Sequence, residues 1–124
     1  AGLSSTARDY FVFLQMMLNT GVYNDVRLLS RTTVETLMAN QIGDLWMGGS
    51  NDFNLAFSVV NDRGVAQGGL GGPGTFEWGG YFNTQYFADP GEQVIGILMK
   101  QTQGNSGDQT GWKFKQMVFA SIAD

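Results

Sequence analysis

The chain has 124 residues, a net charge of −4 and no histidine or cysteine, so a Ser-His-Asp triad, a Cys-His pair and the usual zinc ligand sets are all excluded. The length fits one ordinary domain and argues against a second. Lys and Arg are thinly scattered and leave no basic stripe for a phosphate backbone. The longest apolar run, Val94 to Met99, falls far short of the roughly 20 residues of a membrane span.

Thr6-Ala7-Arg8-Asp9 reads as a capping box, with Thr6 covering an orphan N–H and the Asp9 carboxylate reaching back. The spacing of Tyr10, Phe11, Phe13, Leu14, Met17 and Leu18 then predicts a helix to about Asn19, stopped by Gly21. Ser30 is a credible N-cap for a shorter helix carrying Val34, Leu37 and Met38 to about Asn40. Gly43 to Asn54 reads as loop, Leu55 to Val60 as a short strand, and Asn61 to Gly74 as a glycine-laden connection. Two longer strands flank Asp89-Pro90-Gly91-Glu92, where Pro presets the turn and Gly permits positive φ. After a polar loop from Gln103 to Asp108, Gln109 to Ala123 has the spacing of a terminal helix. The fold class is therefore α+β, an antiparallel sheet with flanking helices.

Apolar residues on both faces of Val94 to Met99 are the pattern of a strand covered above and below. The terminal helix covers one face; either the first helix or polypeptide outside this chain covers the other. Ala1 stands where an initiating Met is expected and Gly2-Leu3-Ser4-Ser5 enters mid-loop. Residues 1–124 are accordingly read as a single fragment.

Several motifs have bland explanations. Gly69-Leu70-Gly71-Gly72-Pro73-Gly74 matches G-x-G-x-x-G, but Pro73 interrupts it and a strand follows instead of a helix, so it reads as a plain loop. Thr110-Gly111-Trp112-Lys113 has nucleophile-to-lysine spacing, yet a Thr entering a helix with a surface Lys is the ordinary event. Tyr81-Phe82-Asn83 reads as an alternating pair on one strand face. The acidic residues sit singly in turns and caps and form no acid–base pair. Trp46, Met47 and Phe53 line a cleft or close a core edge.

Trp78-Gly79-Gly80 stands apart. A glycine doublet is the least expected choice for a strand that only packs, and it admits a ligand close to the main chain. Main-chain N–H groups held by a sheet are good donors for a developing oxyanion. A bulge or tight bend is the competing local reading.

The motif order from Gly2-Leu3-Ser4-Ser5-Thr6-Ala7-Arg8-Asp9 through Leu28-Leu29-Ser30 and Trp78-Gly79-Gly80 to Asp89-Pro90 and the strand Val94 to Gln101 resembles a known group. It is similar to the C-terminal part of the serine β-lactamase-related hydrolases: class C β-lactamases, D-alanyl-D-alanine carboxypeptidases and family VIII esterases. That resemblance implies a Ser-x-x-Lys nucleophile, absent here, on a missing N-terminal part of the same fold, and an acyl-enzyme mechanism. It also implies that Trp78, Gly79 and Gly80 match the third, Lys-Thr-Gly-like motif and bind substrate, with the N–H of Tyr81 as oxyanion donor. The family's tyrosine motif precedes this region, so Tyr81-Phe82-Asn83 is not its counterpart. Trp in place of the motif's Lys removes a cation for a substrate carboxylate and favours an esterase-like substrate. The implied partners are a small-molecule ester or amide and the missing N-terminal part, with no nucleic acid, metal or cofactor; the implied setting is bacterial periplasmic or secreted. The rival expectation is a noncatalytic α+β interaction module whose aromatic hairpin binds a peptide or protein.

Overall fold

The computed structural model describes residues 2–45, 49–68, 71–103 and 107–123. The first helix, α1 (Ala7–Leu18), starts where the cap predicts: Thr6 Oγ1 accepts the Asp9 N–H at 3.1 Å. The Asp9 carboxylate does reach back, but to the Thr6 hydroxyl at 2.8 Å and not to a backbone N–H. Past α1 the chain turns at Gly21, where a Cβ would lie 2.1 Å from the Leu29 carbonyl oxygen. A small hairpin not expected from the sequence follows, β1 (Val22–Tyr23) and β2 (Val26–Arg27). Its two turn residues, Asn24 and Asp25, have φ of 47° and 63°, the left-handed pair that a two-residue hairpin requires. Ser30 caps α2 (Arg31–Met38) as expected, its Oγ accepting the Thr33 N–H at 3.0 Å.

The main sheet is wholly antiparallel, in the order β3 (Asn51–Phe53), β4 (Ser58–Val60), β5 (Phe76–Gly79), β6 (Gln85–Asp89), β7 (Val94–Leu98). Two elements depart from the sequence reading. Strand β3 lies in the stretch read as loop, and a one-turn helix, α3 (Asp62–Ala66), lies within the glycine-laden connection. Both are short and polar; β3 exists because β4 pairs with it, and α3 because the Asn61 side chain accepts the Gly64 N–H at 3.0 Å.

Both faces of the sheet are covered, and α1 supplies the second cover. Phe76, Ala88, Tyr86, Ile95 and Ile97 share the face that packs against Leu14, Met17 and Phe57, and the Tyr10 and Tyr86 rings lie 4.7 Å apart. The opposite face carries Phe87, stacked on Phe119 at 5.3 Å and beside Phe114 of the terminal helix, α4 (Thr110–Ala120). Gly96 faces Phe87 across the sheet, and a Cβ there would stand 2.2 Å from the ring. No helix among the described residues is long and apolar enough to cross a membrane.

The β6–β7 connection is displaced by one residue from expectation. Asp89 is the last residue of β6, residues 90–93 make the turn, and the positive φ falls on Gln93 (55°) and not on Gly91. Asp89 explains the shift. Its Oδ1 accepts the N–H groups of Gly91 (2.8 Å) and Glu92 (3.0 Å), while Oδ2 accepts the Gly72 N–H (2.8 Å) and the Thr75 hydroxyl (2.7 Å). Desolvation of this fully buried carboxylate raises its pKa, but the bonds from Glu92, Gly72, Thr75 and Gly91 together outweigh it and hold the value below the usual aspartate range. The described part of the G-x-G-x-x-G stretch is thus tied to Asp89 and runs into β5; Gly69 and Leu70 lie outside the described residues.

Candidate active site

Strand β5 delivers Trp78 and Gly79 to the end of the sheet, and there the structure corrects the idea of one long aromatic strand. Residues 80–84 are a turn, closed by Gly80 N–H donating to the Thr84 carbonyl (2.6 Å) and Asn83 N–H to the Gly80 carbonyl (2.9 Å). Tyr81 and Asn83 therefore share no strand face. Asn83 takes φ of 63°, a conformation an asparagine side chain tolerates, while its aromatic neighbours disguised the break. Tyr81 is exposed just past the strand end, and its hydroxyl meets Gln103 Nε2.

The Gly80 bond fixes which edge each amide uses. In an antiparallel ladder successive residues point to opposite edges, so Gly80 faces β6 and Gly79 faces the β4 side. Strand β4 pairs with β5 only opposite Phe76 and Glu77. From Gly79 onward, no strand among the described residues lies beside that edge.

A cleft of about 380 Å³ lies between this end of the sheet and α4, lined by Trp78, Gly79 and Gln85 on the sheet side and Gly111, Trp112 and Lys115 on the helix side. Helix and sheet approach closely at Gly111, where a Cβ would be 1.4 Å from Gln85 Oε1. Gly79 and Gly80 are different: a Cβ at either would meet nothing nearer than 3.5 Å, and neither has a φ in the left-handed region. Nothing in the packing of the described residues demands glycine at these two positions.

The charges around the cleft are paired. Lys115, only 8% exposed, holds Glu77 Oε2 at 2.7 Å and sits 5.5 Å above the centre of the Phe87 ring. Asn51 Nδ2 donates to Glu77 Oε1 (3.4 Å) and to Ser58 Oγ (2.6 Å). Lys100, two residues past β7, pairs with Asp108, which also takes the Thr110 N–H at 2.8 Å. The Thr110 hydroxyl meets Asp108 and Lys100 (3.2 Å), so its lysine neighbour is not Lys113. Burial raises the Tyr86 phenol well above its ordinary range, and a hydrogen bond that its own hydroxyl donates to Tyr10 adds to the effect, so this tyrosine stays protonated.

The structure brings Trp78 and Gly79 to one cleft and leaves Gly80 and Tyr81 at its rim turn. Phe53 is not on the cleft wall but packs edge-on to Trp78, ring centres 5.9 Å apart; Trp46 and Met47 lie outside the described residues. Sequence reasoning missed Glu77, Lys115, Trp112 and the Lys100–Asp108 pair. One signal was available for Lys115: it lies four residues after Gly111, on the helix stripe that faces the sheet.

Comparison with known proteins bears on this geometry. The Beta-lactamase family model matches residues 1–117. Two curated relatives, Protein Rv1367c of Mycobacterium tuberculosis (strain ATCC 25618 / H37Rv) and Uncharacterized protein MT1414 of strain CDC 1551 / Oshkosh, are each 34% identical over 113 residues, covering 81% of this chain and 28% of their own length. A solved structure, EstCE1, a hydrolase with promiscuous acyltransferase activity, superimposes with a TM-score of 0.76 at 18% identity, covering 93% of this chain and 30% of that one. The chain thus spans under a third of the length of the relatives it matches.

Proposed function

Because the chain belongs to the Beta-lactamase family, matched over residues 1–117, we propose that it forms one wall of the active site of a serine hydrolase that works through an acyl-enzyme. In this reading the attacking serine and its lysine lie on polypeptide beyond these 124 residues, and the chain alone is inert. The observation that carries it is the bare doublet Gly79-Gly80, which its own packing leaves free to hold a side chain. The missing bulk makes room for a substrate laid along the open edge of β5.

The chemistry follows from the edge geometry. When an alcohol adds to a carbonyl, the oxygen gains a full negative charge, and a main-chain N–H already aimed at it stabilises the transition state more than the ground state. Gly79 has its N–H on the free edge, and by alternation the next amide on that side is Tyr81. Tyr81 is assigned as the oxyanion donor, worth about 3 kcal/mol of barrier. Trp78, half exposed, supplies an apolar wall for an ester or amide substrate.

The test is reaction with a fluorophosphonate and with a p-nitrophenyl ester. The 124-residue chain is expected to take no label and show no turnover, whereas the longer protein encoded with it is expected to take label on a Ser-x-x-Lys serine. Enzyme-like turnover by the chain itself, with label on Ser58 or Thr110, refutes the reading.

A further inference from the structure

Most polar side chains around the cleft are bonded to one another. Glu77 and Lys115 hold each other, Asp108 is held by Lys100, and Ser58 Oγ accepts from Asn51 Nδ2. Gln85, the first residue of β6, lines the same cleft, and its side-chain amide has no hydrogen-bond partner among the described residues. Its oxygen and nitrogen both reach solvent, because no side-chain N or O sealed from solvent among those residues lacks a partner. Exposure alone would make this an ordinary solvated glutamine, but two observations set it apart. The amide is packed under α4: Gly111 is buried, and a Cβ there would stand 1.4 Å from Gln85 Oε1, so the helix leaves room for this group and a larger residue would displace it. A side chain confined in this way loses less freedom when it binds a ligand. Gln85 is also the register partner of Gly79. Glu77 and Gly79, two residues apart on β5, present the same face, and Glu77 reaches Lys115 of α4. The side chain that Gly79 lacks would therefore stand on the α4 side, 3.9 Å from Gln85 Cγ. Its absence uncovers the Gln85 amide to a molecule laid along the open edge of β5.

We infer that Gln85 is a specificity-determining residue whose amide binds an uncharged carboxamide group of the substrate lying over Gly79. This rests on the hydrolase reading for which bond is cleaved, but the binding preference stands or falls separately. The preference follows from what a glutamine offers, an N–H donor and a carbonyl acceptor side by side. A carboxamide answers both at once. A ketone uses the N–H alone, and a carboxylate also sets its charge against the Gln85 carbonyl oxygen. A cleft of about 380 Å³ has room for such a group.

The experiment titrates the full 124-residue chain with benzamide, acetophenone and benzoate, three probes of one shape that differ in donor and charge, and follows the side-chain NH₂ signals of Gln85 by NMR. Benzamide is expected to shift these signals saturably and to bind about fivefold more tightly than acetophenone or benzoate, the worth of one neutral hydrogen bond. Gln85→Met keeps the length of the side chain and removes both polar atoms, and is expected to bring benzamide down to the affinity of acetophenone. Because the amide bonds to no described residue, the variant is expected to stay folded, and far-UV circular dichroism checks this. Gln85→Glu offers acceptors only and is expected to prefer benzamidinium to benzamide. Equal or tighter binding of acetophenone or benzoate, no saturable shift at Gln85, wild-type benzamide affinity in folded Gln85→Met, or an unaltered preference in Gln85→Glu overturns the inference. Failure of the hydrolase reading looks different: the longer protein takes no fluorophosphonate label while benzamide still binds at Gln85.

Discussion

Replacing Asp89 by Asn tests the physical account of the β6–β7 corner most directly, because the substitution keeps size and shape and removes only charge and one acceptor. In the native chain one buried carboxylate accepts four hydrogen bonds, two at each oxygen, and joins the turn after β6 to the loop before β5. An asparagine can keep its oxygen toward Gly91 and Glu92. Its amide nitrogen then faces Thr75 and Gly72. The Thr75 hydroxyl can turn, since the Gly72 carbonyl lies 2.8 Å away to receive its proton. The partly buried Gly72 N–H has no such alternative, and an orphaned donor there costs up to about 1–3 kcal/mol. Loss of charge assistance in the remaining bonds adds to this, for a total of about 2–4 kcal/mol, a large part of a typical domain's stability of about 5–15 kcal/mol. The sign of the pH dependence follows from the lowered pKa. A carboxyl whose folded pKa is depressed contributes fully above its unfolded value of about 3.9 and loses the contribution as pH falls through the folded value. Urea unfolding of both proteins is therefore expected to show a large gap at pH 7 that narrows as pH drops below about 4. A gap under about 0.5 kcal/mol at pH 7, the range of an ordinary surface change, or one that does not narrow in acid, refutes the reasoning.

Two glycines give opposite expectations. Gly96→Ala forces a Cβ into the Phe87 ring at 2.2 Å, so thermal melting is expected to show a loss of about 1–3 kcal/mol. Gly79→Ala has ordinary room and is expected to leave stability unchanged or raised by about 0.4–1 kcal/mol, while lowering the intact enzyme's kcat/KM because the methyl stands where substrate lies. Stability lost and activity kept at Gly79 would contradict both claims. Lys115→Met leaves Glu77 with only Asn51 beside it and is expected to cost about 2 kcal/mol in denaturant unfolding, less than the full penalty of a buried pair because Glu77 is 31% exposed. Adding Glu77→Gln is expected to restore much of that loss, and a double mutant no better than the single one would show that the pair's charge is not what matters.

The parts of this fold that were legible in the sequence are those governed by short-range chemistry. Thr6 and Ser30 announce their helices because a cap bonds an N–H three residues on, and the strands around Asp89-Pro90 stand out through their apolar runs. The glycine doublet was visible too, as residues out of place in a packing strand. The turn at 80–84, strand β3 and the hairpin at Asn24-Asp25 were missed because each depends on which backbone groups find partners, a matter their side chains barely report.

The sequence by itself determined that this is an α+β chain with no histidine or cysteine chemistry, and that Trp78-Gly79-Gly80 is its most telling stretch, since composition and local bonding suffice for both. Only the tertiary structure decided that Lys115 and Glu77, thirty-eight residues apart, neutralise each other, that Asp89 pins a distant glycine loop, and that a cleft opens between the end of β5 and α4. Contacts between residues far apart in the chain form only when a helix packs on a sheet, and no local pattern encodes which side chains that packing brings together.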